Sequence, residues 1–71
     1  MKPIEFELNE HEYIELNQLL KLMSLVGSGG EANICITEGQ VKVNDTIETR
    51  KRNKIRSGFT VEFRGQTIII K

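Results

Sequence analysis

Five of the seven residues from Arg50 to Arg56 are basic: Arg50, Lys51, Arg52, Lys54 and Arg56. The cluster lies between two runs that alternate like strands, so it reads as a connection on a scaffold, with side chains free to point at a partner. Arginine offers a planar fork of N–H donors matched to phosphate, and lysine a mobile point charge. Lys42, two residues ahead of a hairpin turn, is expected to extend the same face. A second stretch, Gly27-Ser28-Gly29-Gly30, precedes a helical pattern and would offer backbone N–H groups to an anion. Glu31-Ala32-Asn33 follows it, where a nucleotide-hydrolase phosphate loop needs Gly-Lys-Ser/Thr, and the spaced glycines of a dinucleotide site are missing. Plainer readings stay open for both: a solvated basic surface for the first, a simple turn for the second.

His11 and Cys35 are the candidates for acid–base or nucleophilic work, and neither has a partner at a useful local spacing. Cys35 falls on an inward helical stripe, where a free thiol behaves as a small hydrophobe. One His and one Cys are too few N/S ligands for a tetrahedral zinc site in one copy of the chain. The expectation is therefore no enzyme, no metal and no cofactor. Phe6, Phe59 and Phe63 sit on alternating, core-facing positions, and no aromatic interrupts the basic cluster, so base stacking is not expected.

The formal net charge is zero, but its distribution is uneven. Residues 1–40 carry two Lys/Arg against seven Glu, a balance of −5; residues 41–71 carry eight Lys/Arg against three Asp/Glu, a balance of +5. Such an asymmetric chain presents a local positive field to polyanions even though the total vanishes. No apolar run approaches the roughly 20 residues that span a bilayer, so no membrane partner is expected. The opening MKPIEFELNE alternates apolar and acidic residues, unlike a secretory signal. A reduced, cytoplasmic location is expected, and a monomer.

With 71 residues, one domain and one modest core are expected over 1–71. Ile4, Phe6 and Leu8 alternate, which predicts a short strand over 3–8. Tyr13, Leu16, Leu19, Leu20 and Met23 recur at spacings of three and four, predicting a helix from about residue 11 to 24, with Glu10 and Glu12 complementing its start. Ser28 and Glu31 have the spacing of a capping box, which predicts a second helix over about 29–38 closed by Gly39. Val41-Lys42-Val43 turns through Asn44-Asp45 into Thr46–Thr49. Phe59–Phe63, a turn at Arg64-Gly65-Gln66, and Thr67–Ile70 complete the chain. The expected class is α+β: two short N-terminal helices packed on a small mixed or antiparallel sheet.

Ser28-Gly29-Gly30-Glu31-Ala32, followed by Ile36-Thr37-Glu38-Gly39-Gln40-Val41-Lys42-Val43-Asn44-Asp45, resembles the S-four RNA-binding domain, or alpha-L motif. Leu16-Asn17-Gln18-Leu19-Leu20 is similar to that family's opening helix, and Ile55-Arg56-Ser57-Gly58-Phe59-Thr60-Val61 to its closing strand entry. The free-standing bacterial members of roughly this length, with Glu-Thr-Arg-Lys-Arg after the hairpin, look most alike. The resemblance implies a non-catalytic module that binds structured RNA, ribosomal or transfer RNA, in ribosome assembly or translation. It implies contacts at Ser28, Lys42 and the 50–56 cluster, to which the Gly29–Gly30 helix end would add backbone donors. Many members carry Arg at the positions of Glu15 and Gly29, and a basic residue at that of Thr37. The expected burden of RNA binding thus shifts to the later cluster. The rival expectation is a protein-binding adaptor on a ribosome or an RNA-processing machine, using the acidic first helix as well.

Overall fold

A computed structural model describes residues 3–71 of the chain. In chain order the elements are β1 (Ile4–Phe6), β2 (Ile14–Glu15), α1 (Leu16–Leu22), α2 (Gly29–Thr37), β3 (Val41–Val43), β4 (Thr46–Ile47), β5 (Lys54–Ile55), β6 (Thr60–Phe63) and β7 (Gln66–Ile70). Five strands form one mixed sheet in the order β1-β7-β6-β3-β4, with β1 parallel to β7 and the other pairs antiparallel. Strands β2 and β5 form a separate two-stranded ribbon. This is the α+β class that the alternation and periodicity predict.

Two hairpins set the sheet register. Asn44 and Asp45 (φ 52° and 68°) join β3 to β4, and Arg64 and Gly65 (φ 50° and 77°) join β6 to β7. Two left-handed residues in succession match the right-handed twist of flanking strands. Asn44 is further anchored, its side-chain oxygen accepting from the Thr60 N–H at 2.9 Å. Period-2 alternation then turns Val41, Val43, Val61, Phe63, Ile68 and Ile70 to the covered face, where they pack with Leu16, Leu19 and Leu20 of α1 and Ala32, Cys35 and Ile36 of α2. Both helices close alike. Ser24 and Gly39, in left-handed conformation, end α1 and α2, and the N–H groups of Leu25 and Gln40 bond back to the carbonyls of Leu20 and Cys35.

The first helix is shorter than its apolar stripe predicts. It begins at Leu16, not near residue 11, because Ile14 and Glu15 are extended and pair with Ile55 and Lys54. Ile14 misses the helical stripe, and Ile55 is the lone apolar residue in a basic run; the two face each other across the ribbon, with Ile55 fully buried. The chain ahead of it turns at Asn9 (φ 58°), so Glu10 and Glu12 are exposed in a loop and do not flank a helix start. Tyr13, predicted on the buried stripe, lies outside the helix and is 39% exposed. Strand β1 ends at Phe6, before Leu8, and β4 ends at Ile47, before Thr49.

Candidate nucleic-acid interface

The segment 48–56 is tied to the first helix through its backbone, which explains why α1 starts where it does. The first N–H groups of any helix lack a carbonyl one turn earlier. Here the N–H of Leu16 donates to the carbonyl of Asn53 at 3.0 Å, and that of Asn17 to the carbonyl of Lys51 at 3.1 Å. The basic loop is therefore the cap of the first helix.

Glu48 organises the same loop from within. Its carboxylate accepts from the Arg50 guanidinium at 2.9 Å, from the Asn53 amide at 2.9 Å and from the Arg50 backbone N–H at 3.4 Å. The side-chain hydrogen bond from Arg50 holds the Glu48 carboxyl below its ordinary value against the opposing effect of burial, and it raises Arg50 in turn. Arg50 is thus already engaged by a carboxylate. Lys51, Arg52, Lys54 and Arg56 are all exposed, and none of the four makes an ion pair among the described residues.

Ser28 caps α2 through its hydroxyl, which accepts from the Glu31 N–H at 3.2 Å, while the Glu31 carboxylate accepts from the Gly27 N–H at 2.6 Å. The helix end expected to receive an anion is partly filled by Glu31. Gly29 and Gly30 have negative φ, and a Cβ built on Gly29 meets nothing within 4 Å; on Gly30 its nearest neighbour is the Ser28 hydroxyl at 3.8 Å. Nothing in the fold requires glycine at either position.

The structure brings part of the predicted set together. Gly29 and Arg52 line one shallow groove, with Asn17, Gln18, Lys21 and Glu15 of the first helix region. An amide bond from Asn17 to Asn33 at 3.0 Å ties α1 to α2 beside it. Lys42 is not part of this groove. It points to the outer side of the sheet, between Ile47 and Glu62 in register, and shares a depression with Gln40, Glu62 and Arg64. Strand β3 buries Val41 and Val43, which forces the residue between them outward, beside Ile47, which lines a separate groove with Arg50 and Lys54.

Two residues were not singled out from the sequence. Lys21 was counted only as part of an acidic half, although it stands four residues after Asn17 on the same helix, a spacing that places them on one face. Tyr13 has the ammonium of Lys54 5.1 Å and the guanidinium of Arg56 5.7 Å from its ring centre. An aromatic ring does accompany the cluster, contrary to the linear reading, because β2 pairs with β5 across 39 residues or more of sequence. His11 is exposed at the turn after Leu8, while Cys35 is buried and accepts from Arg64 at 3.5 Å. Among the described residues no group of three metal-ligating side chains occurs, and no helix is long and apolar enough to cross a membrane.

Two helices on the covered face of a mixed sheet, with a basic loop capping the first and a glycine-flanked start to the second, define the alpha-L type of module. The chain belongs to the S4 domain family, whose model matches residues 6–71. It is 51% identical over 63 residues to YbcJ of Escherichia coli K12, covering 89% of this chain and 90% of that protein. It is 41% identical over 54 residues, 76% of each chain, to a Bacillus subtilis protein named "Probable ribosome maturation protein RlbA". The solution structure of YbcJ, described as revealing an alpha-L motif involved in RNA-binding, superposes with a TM-score of 0.74 at 46% identity, covering 99% of this chain and 89% of that one.

Proposed function

We propose that this protein is a non-catalytic RNA-binding module that grips structured RNA on the face where the 51–56 loop meets the start of α2. The observation that carries the reading is the shared groove of Arg52, Lys21 and Gly29, which joins two segments singled out independently in the sequence. Arg52 and Lys21 supply charge on its two sides, and the bare Gly29 lets a sugar–phosphate backbone come close to the helix. Lys51, Lys54 and Arg56 continue the positive surface along the loop. Arg50, held by Glu48, shapes the loop more than it adds net charge. Relatives named for RNA binding and for ribosome maturation support the same reading, and make ribosomal RNA, bound during subunit maturation in the cytoplasm, the target we favour over transfer RNA.

Crosslinking in cells followed by sequencing of the attached RNA tests this. Crosslinks at residues 50–56 and in the Gly29 groove, enriched in ribosomal RNA, are expected. Co-purification with ribosomal particles that survives ribonuclease, without crosslinks at these residues, would instead favour a protein-binding adaptor.

A further inference from the structure

We infer that Tyr13 is a stacking site for one unpaired base next to the RNA segment held by the basic loop. This rests on the RNA-binding reading and adds to it a single-stranded nucleotide as part of the ligand. Tyr13 is 39% exposed although its spacing belongs to a buried stripe. Its ring lies between the basic loop and an open groove lined by Phe6, Leu8, His11, Ile14 and Leu22, of about 740 Å³. That volume falls in the range of small-molecule sites and exceeds the needs of one nucleobase. Leu22, in the same lining, is 60% exposed.

The neighbours of the ring select a nucleotide over other flat apolar ligands. Lys54 and Arg56 stand 5.1 Å and 5.7 Å from the ring centre, near enough to be attracted by its π-face, and flank Ile55 at the end of the basic loop. A backbone running along Lys51, Arg52, Lys54 and Arg56 brings its next base to this ring. Phosphates then take up the two cations and uncover the π-face, and any base can stack there because every base has one. Glu15 and Gln18, which also line the groove, offer an acceptor and an amide to a base edge. Glu15 lines the Arg52 groove as well, so the two sites share a wall.

The chain has one Tyr and no Trp, so a Tyr13→Trp variant carries a single indole reporter at the site. The probes are a blunt 12-base-pair RNA duplex, the same duplex with a four-adenosine single-stranded tail, and a third form whose tail is abasic. The adenosine tail is expected to tighten binding by about tenfold over the blunt duplex, and the abasic tail to give no such gain. Tyr13→Phe keeps the ratio of tailed to blunt affinity, Tyr13→Leu brings it close to one, and the indole emission of Tyr13→Trp is quenched only by the adenosine-tailed probe. An abasic tail as effective as adenosine, or an unchanged ratio in Tyr13→Leu, overturns stacking while leaving the RNA-binding reading intact. Failure of the unsubstituted protein to bind any of the three RNAs overturns both. A Lys/Leu-rich helical peptide that quenches the indole, with no effect of the tailed RNA, shows the groove to be a protein-docking surface and overturns the inference.

Discussion

Glu48 and Arg50 form an ion pair at 2.9 Å, two residues apart in the chain, with the carboxylate largely shielded (13% exposed) and the guanidinium in solvent (77% exposed). The same carboxylate also accepts from Asn53, so one acidic residue closes the loop that carries the basic ones. This gives a role to the acid that stands just ahead of the cationic stretch. It lowers the net charge by one and gives the remaining cations a fixed platform.

The pair gives stability a defined pH dependence. Because the Glu48 carboxyl is held below its ordinary value of 4.5, its contribution is complete above that pH and is lost as pH falls through the lowered value. Arg50 is raised by the same partner, so it stays protonated throughout the working range and the loss at low pH follows Glu48 alone. Thermal melts of the native protein and Glu48→Gln should converge as pH falls from about 6 to about 3, with the native protein the more stable at the upper end. Parallel curves would show that the pair contributes nothing measurable.

Salt dependence counts the working cations. With Arg50 engaged and Lys21, Lys51, Arg52, Lys54 and Arg56 neutralising five phosphates, log affinity should fall with log salt at a slope of roughly −3.5 to −4.5. Arg52→Ala should make that slope shallower by about 0.7 to 0.9. Lys42→Ala, on the outer side of the sheet, should leave it nearly unchanged. Equal effects of the two substitutions would place the RNA across the sheet face instead.

Gly29→Ala and Gly30→Ala should each stabilise the fold, by about 0.5–1 kcal/mol, since alanine loses less backbone freedom in a helix and both positions have room for a Cβ. RNA affinity should fall in both variants, because the methyl group occupies the surface a backbone approaches. Chemical denaturation and an RNA titration on the same samples check the two halves together. A stabilised variant with unchanged affinity would mean that no ligand comes close there.

Ile55→Ala should cost about 2–5 kcal/mol, the usual range for emptying a buried aliphatic site. Its particular signature lies in α1. Faster amide exchange is expected first at Leu16 and Asn17, whose acceptors are the carbonyls of Asn53 and Lys51.

The sheet and the second helix were legible in the sequence because their signals are local. Alternation marked Val41–Val43, Thr60–Phe63 and the last strand; Asn44-Asp45 and Arg64-Gly65 marked the turns; Ser28 and Gly39 bracketed α2. The β2–β5 ribbon was not legible. Two residues on each side carry too little pattern, and their pairing is a long-range contact that competes with a helical stripe reaching back to Tyr13. The same omission hid Tyr13 from the basic cluster and hid the role of the cluster as a helix cap. Lys42 was legible as an outward-facing strand residue from the alternation of Val41 and Val43 around it.

The bonds from Leu16 and Asn17 to the 51–53 carbonyls have a thermodynamic consequence for the partner. A mobile cationic loop surrenders conformational entropy when it closes on a ligand, which weakens the complex. Here that ordering already belongs to folding, since the loop cannot relax without fraying α1. Association should therefore resemble the docking of rigid surfaces, fast and steered by charge, with discrimination resting on how well the RNA's own shape matches a fixed template.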